Sequence, residues 1–226
     1  MRHRRIVVRL LCAALVALGP LAAAPGATAD TTAQAVVRGG DPLYRGGGGR
    51  CTVGFNATDG RDFYGIMDGQ CGSVGTQWYA DPRLTIPVGV TETAVFPGSD
   101  YSLLRYTNRD VSYPSEVRYG SGGLRINDAD RPVVGQQVCR TGPTTGTHCG
   151  TIQSLNSTVT YPQGVVYGLI RTNVCAEPGD SGGPAFSGDS AVGVLVGGSG
   201  NCASGGTTFY QPVAPILSRH GLRVGY

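Results

Sequence analysis

Lysine is absent from this 226-residue sequence, tryptophan occurs once and methionine twice. The missing lysine marks a compositional bias more than a functional device. Charge of either sign is scarce, at 15% of residues, and the formal net charge of +3 belongs to the N-terminus. Met1-Arg2-His3-Arg4-Arg5 precedes a largely apolar stretch through Leu21, and Ala27-Thr28-Ala29 fits the small-residue rule for cleavage before Asp30. A signal peptide over residues 1–29 is therefore expected, and with it a secreted, extracellular protein. Without Arg2, Arg4, Arg5 and Arg9, the 18 basic residues fall to 14 against 15 acidic ones, a net charge of about −1. Neither a basic run nor aromatic residues interleaved with basic ones remain, which argues against nucleic acid and anionic membrane as partners. Long apolar runs are missing as well. The leader's own run is interrupted by Arg9 and Gly19-Pro20, and no later one approaches the roughly 20 residues of a spanning helix.

Once Cys12 leaves with the leader, Cys51, Cys71, Cys139, Cys149, Cys175 and Cys202 remain. An even number in an exported chain implies disulfides, and their grouping favours Cys51–Cys71, Cys139–Cys149 and Cys175–Cys202. Each would close a short loop, contributing on the order of 3 kcal/mol. No Cys-x-x-Cys pair occurs and only His148 lies beside a cysteine, so a metal site is not expected. Nucleotide and flavin motifs are also absent, and no cofactor is expected.

Glycine is abundant, at 37 residues, and short β-branched and aromatic runs alternate with Gly, Pro, Asn and Ser clusters. This pattern is all-β. Strands are expected at residues 51–56, 63–67, 101–106, 132–139, 150–160, 164–171, 191–196 and 207–212. One helix should begin after Pro212, present Val213, Ile216 and Leu217 on one face, and stop at Gly221. No linker divides the chain, so two small barrels packed together are expected within residues 37–226. Residues 30–36 form a short N-terminal segment before them.

The strongest local signal is Cys175-Ala176-Glu177-Pro178-Gly179-Asp180-Ser181-Gly182-Gly183-Pro184. Its glycines permit a sharp turn that aims the Gly179 and Ser181 amides at one spot, an oxyanion hole beside the Ser181 hydroxyl. A buried Asp180 would need a cationic partner, for which Arg140 is the candidate. Taken alone, Gly-Asp-Ser-Gly is also an ordinary turn sequence. The longer segment Arg171–Pro184 decides otherwise, because it resembles the active-serine segment of the streptogrisins, secreted actinobacterial proteases of the chymotrypsin-like type. Further matches follow in order: Gly39-Gly40-Asp41 with Tyr44, Cys51 to Asn56, Asp100-Tyr101 to Arg105-Tyr106, Gly142 to Cys149, and Gly197-Gly198-Ser199-Gly200-Asn201-Cys202 through Gln211-Pro212-Val213.

The resemblance implies two six-stranded antiparallel β-barrels, over roughly residues 37–125 and 126–226, with the active site between them. It places Asp100 at the triad aspartate and Ser181 at the nucleophile. It also implies that Val196, Gly197 and Gly198 bind substrate. The pattern fails at the histidine. Where the family carries Thr-Ala-Gly-His-Cys this chain has Met67-Asp68-Gly69-Gln70-Cys71, and the Gln70 amide has no useful basicity. His148 reads as a surface residue and His220 as a helix cap, so neither substitutes. Val196 stands where the family has a serine supporting the aspartate, and Asp68 adds a carboxylate near Asp100. The family's pro-region has no room between Ala29 and Val37, which fits a chain with no activity to restrain, and equally a misassigned gene start.

The expected function is a streptogrisin-like serine endopeptidase homologue, catalytically dead or severely impaired. It would keep a cleft for extended peptides or protein protease inhibitors, with apolar preference from Leu195 and Val196, and act as a monomer. The alternative is an active endopeptidase in which a substrate histidine lends its imidazole to Ser181, or Asp68 serves as a weak base oriented by Gln70. A purely structural domain would not need an intact oxyanion turn. The sequons at Asn56 and Asn156 are assigned no role.

Overall fold

A computed structural model describes residues 34–226; the expected signal peptide, residues 1–29, lies outside them. Seven strands build a first sheet: β1 Pro42–Arg45, β2 Gly49–Thr52, β3 Phe55–Thr58, β4 Phe63–Met67, β5 Gln77–Tyr79, β6 Pro87–Val95 and β7 Tyr101–Tyr106, ordered β2-β1-β5-β6-β7-β4-β3. The second comprises β8 Asp128–Ala129, β9 Gln137–Gly142, β10 Gly146–Tyr161, β11 Gly164–Thr172, β12 Pro184–Ser187, β13 Ser190–Asn201 and β14 Gly205–Pro212. Its order is β8-β13-β12-β9-β10-β11-β14, and pairing of β13 with β14 closes it.

Six strands per barrel were expected, and the seventh in each has a local cause. In the first barrel β2 and β3 are one run bent at Val53-Gly54, so the strands at the two edges of the sheet are joined through that bend. A side chain at Gly54 would crowd the Ile66 carbonyl oxygen at 2.7 Å. This bend breaks the single strand expected over residues 51–56. In the second barrel the two-residue β8 adds to β13 in parallel outside the closed ring.

Residues 132–136 do not join the strand expected there. Val133 and Val134 are 63% and 57% exposed, and Gly135 turns the chain with φ +86° before β9 begins. β6, unforeseen, carries Val88-Gly89-Val90-Thr91, with Val88 buried and Thr91 accepting a 2.8 Å hydrogen bond from the buried Trp78 indole. The helix α1, Val213–His220, buries Val213, Ile216 and Leu217 and ends at Gly221, whose φ of 63° suits a residue without Cβ. None of the described helices is long and apolar enough to cross a membrane.

Each barrel has its own apolar core, around Leu43, Trp78 and Leu104 in the first and Val138, Ile170 and Tyr210 in the second. A third cluster joins Phe55, Ile66 and Leu103 to Phe186, Val194 and Ile216. It welds the barrels together, and the site lies where their loops meet.

Candidate active site

Strand register builds the first half of the site. β4 and β7 pair antiparallel with Met67 opposite Ser102, so the residues leaving β4 run beside those entering β7. Gly69 thus faces Asp100 and donates its amide to Asp100 Oδ1 at 2.9 Å. A Cβ at Gly69 would collide with the Val95 carbonyl oxygen, which explains the glycine. The Gln70 side chain donates Nε2–H to Asp100 Oδ2 at 3.0 Å, and Gln211 Oε1 accepts the Asp100 amide at 2.9 Å. The Cys51–Cys71 disulfide ties this segment to β2.

The second half is the turn between β11 and β12, clamped to the first barrel where Thr52 donates its amide to the Ser181 carbonyl at 3.0 Å and its hydroxyl to the Gly179 carbonyl at 2.8 Å. Beneath it Arg140 and Asp180, both with no exposed side-chain surface, form a 3.2 Å ion pair. Asp180 also accepts from the Thr144 amide and the Thr145 hydroxyl, at 2.9 and 2.7 Å. Gly182 and Gly183 spend their amides on the Leu195 and Asp180 carbonyls. Among the described residues nothing accepts from the Gly179 or Ser181 amides. The Cys139–Cys149 and Cys175–Cys202 disulfides brace the surrounding strands.

The halves meet through an unforeseen contact. Ser181 donates its hydroxyl hydrogen to Asp68 Oδ2 at 2.6 Å, while Asp68 Oδ1 accepts the Gln70 amide, also at 2.6 Å. Asp68 is 4% exposed and Asp100 fully buried, and each carboxyl acts on the other's protonation. Burial and the Asp68 charge push Asp100 up to about 7. Burial also raises Asp68, against the opposing pull of the Ser181 and Gln70 hydrogen bonds. The sequence puts the two carboxyls near each other, but only the folded barrels show Ser181 turned toward Asp68.

The imidazoles lie elsewhere. His148 Nε2 is 3.0 Å from the Thr145 carbonyl, half-buried rather than at the surface. His220 ends α1 with Nε2 3.0 Å from the Tyr101 hydroxyl, and burial with Arg219 lowers its pKa. Among the described residues, one set of possible metal ligands gathers: His148, Cys175 and Cys202. Both sulfurs are bonded to each other, so this donor set does not fit a metal.

Beside Ser181 opens a hollow of about 320 Å³, lined by Glu177, Leu195, Gly197 and Gly198 among others. The Val196 side chain does not line it. It sits at a β-bulge between Leu195 and Gly197, buried against Val166 and Leu169, and offers only its carbonyl, which accepts from the Tyr161 hydroxyl at 3.0 Å. The bulge turns the Val196 side chain into that apolar cluster, so an apolar lining of the hollow comes from Leu195 rather than from Val196.

Two barrels in this arrangement, closed by a short C-terminal helix, are the all-β chymotrypsin-like fold. The Nocardiopsis protease structure superposes with a TM-score of 0.78 at 48% identity over 85% of this chain and 100% of that one, and alpha-lytic protease homolog N4 with 0.77 at 53% over 83% and 98%. Residues 83–219 match the trypsin family model. Serine protease 2 of Streptomyces fradiae is 44% identical over 76% of this chain and its own whole length. Streptogrisin-C of Streptomyces griseus is 45% identical over 92% of this chain, which spans only 44% of that protein. The chain belongs to the trypsin family of serine proteases, in its streptogrisin and alpha-lytic protease-like branch.

Proposed function

We propose that this chain is a secreted streptogrisin-like serine endopeptidase homologue that binds extended peptides, or inhibitors presenting such a segment, and has lost the imidazole-dependent hydrolysis of its relatives. The observation that carries this reading is Gln70. It precedes Cys71, where the resemblance expects a histidine, and its side-chain amide hydrogen-bonds Asp100, yet it cannot take a proton from Ser181. Loss of one triad member leaves about 10³ to 10⁴ of rate over water, because an oxyanion hole and substrate positioning persist. The Gly179 and Ser181 amides supply that hole in this reading. Gly197 and Gly198 pair with the peptide as an added strand, and the hollow lined by Leu195 takes an apolar side chain. Bacterial relatives and three disulfides support an extracellular setting.

The test compares the unaltered chain, Ser181→Ala and Gln70→His for casein hydrolysis and for affinity toward an extended peptide with apolar side chains. Casein hydrolysis at the Ser181→Ala level, with peptide bound by both, is the expected result. Casein hydrolysis by the unaltered chain well above the Ser181→Ala level would sink the reading. A second reading, slow hydrolysis with a carboxylate in place of the imidazole, is favoured by one observation, the Ser181–Asp68 hydrogen bond.

A further inference from the structure

We propose that Asp68 is the proton acceptor and donor for Ser181, with Asp100 as its proton-sharing partner, and that this cleft transfers acyl groups from activated esters and does so poorly with amides. The inference rests on the preceding reading of Ser181 and its turn, and assigns that site a substrate class.

Geometry carries it. An acceptor for a nucleophilic hydroxyl must lie within hydrogen-bond reach, and Asp68 Oδ2 is 2.6 Å from Ser181 Oγ. The acceptor must also be held, and Asp68 is held three ways. Its Oδ1 accepts the Gln70 amide, its backbone carbonyl accepts the Ser102 hydroxyl at 2.9 Å, and its neighbour Gly69 is bonded to Asp100. Gln70 contributes by fixing Asp100 from the other side.

In acylation, the Ser181 hydroxyl proton passes to the Asp68 carboxylate as Oγ bonds to the ester carbonyl carbon. The carbonyl oxygen takes the negative charge facing the Gly179 and Ser181 amides. Collapse breaks the bond to the leaving oxygen, a phenolate departs without needing a proton, and Asp68 releases the proton it took from Ser181 to solvent, which restores its carboxylate. In deacylation water gives a proton to Asp68 and attacks the acyl carbon, after which Asp68 returns the proton to Ser181 Oγ. An amide must be protonated to leave, and a carboxyl, even one raised by burial, is a weaker base than an imidazole and poorly matched to both halves of that step. Esters escape the difficulty.

The groups facing the pair are few. Gln70 follows Asp68, Ser181 comes from the β11–β12 turn, and Gln211 from β14 holds the Asp100 amide. Tyr161 from β10 feels both carboxyl charges, which together with burial hold its hydroxyl neutral, pushed up to about 12. No arginine acts on either carboxyl among the described residues. Ester turnover should therefore fall as the pH drops and Asp68 takes a proton.

The experiment uses the full chain and the p-nitrophenyl ester of an N-acylated apolar amino acid, with peptide affinity measured in parallel. The unaltered chain should exceed Ser181→Ala by at least about tenfold, and Asp68→Ala should fall to the Ser181→Ala level while binding peptide normally. Ala is the residue the streptogrisin pattern places at this position, so the variant should fold, and its melting curve checks that. Asp68→Asn, which keeps shape but not basicity, should fall equally, and Asp68→Glu should recover part of the rate. Ester turnover equal in the unaltered chain and Ser181→Ala, with peptide still bound, overturns the acyl-transfer inference and leaves the binding function standing. Turnover above Ser181→Ala that survives Asp68→Ala removes Asp68 from the role. Absence of peptide binding in every variant strikes instead at the function proposed above.

Discussion

Arg140 and Asp180 face each other at 3.2 Å with neither side chain exposed, directly beneath the turn that carries Ser181. Arg140 also donates through Nε to the Cys175 carbonyl at 2.7 Å and through NH1 to the Gly146 carbonyl at 3.1 Å, so one cation ties that turn to the hairpin between β9 and β10. Removing one member of such a pair leaves the other charge buried and unpaired. Arg140→Met should cost about 3–5 kcal/mol in urea unfolding. Arg140→Met combined with Asp180→Leu should recover part of that loss, though not all, because the Thr144 amide and Thr145 hydroxyl would lose their acceptor. A double variant as unstable as Arg140→Met would show that the hydrogen bonds, not the charge, dominate.

Asp100 makes stability depend on pH in the less familiar direction. Its carboxyl rises from 3.8 to about 7 on folding, so between those values the folded chain holds more protons than the unfolded one. Stability then declines as pH rises through that window, by on the order of 4 kcal/mol at about 1.4 kcal/mol per pKa unit, and levels off above it. Asp68→Ala removes the charge that is the second cause of the shift, and should flatten the decline in melting temperature between pH 4 and 7.5. An unchanged slope in that variant would place the cause in burial alone.

Gln70→His supplies an imidazole but leaves Asp68 holding the Ser181 hydroxyl. Casein hydrolysis should be restored only weakly by Gln70→His, and at least about tenfold more by Gln70→His with Asp68→Ala, in which the hydroxyl is free to turn to the ring. Equal rates in the two variants would mean that the carboxylate does not compete.

Gly69→Ala tests the register argument. The added methyl meets the Val95 carbonyl oxygen and lies 2.8 Å from the Tyr101 amide nitrogen, so the backbone must move. A loss of about 1–3 kcal/mol is expected, and with it lower ester turnover, since the displaced segment carries Asp68. Stability within a few tenths of a kcal/mol of the unaltered chain would show that the segment yields freely.

Much of the fold is legible in the sequence alone. The helix at 213–220 announced itself through Pro212, an apolar face and Gly221, all of which act within a few residues. The strand at 63–67 was likewise local. β6 is not marked in the sequence although Val88, Val90 and Val95 sit in it, because a lone Pro-led alternation carries no sign of the partners that bury it. The break at Val53-Gly54 was invisible for the same reason: the bend exists only because Ile66 packs against that glycine from another strand.

The site divides along the same line. By itself the sequence determined the chemistry on hand: Ser181 in its glycine turn, an amide rather than an imidazole at Gln70, a second carboxylate at Asp68, and an acid at Asp180 in need of Arg140. Those are facts of residue identity and short spacing. Only the tertiary structure decided which of them touch. Pairing Met67 with Ser102 brings Asp68 beside Asp100, and docking the second barrel's turn onto Thr52 points the Ser181 hydroxyl at Asp68. The bulge after Leu195 withdraws the Val196 side chain from the hollow. Hydrogen bonds and shared protons act over about 3 Å, whereas Asp68 and Ser181 are 113 residues apart in sequence, so closing that distance is the work of the two packed barrels.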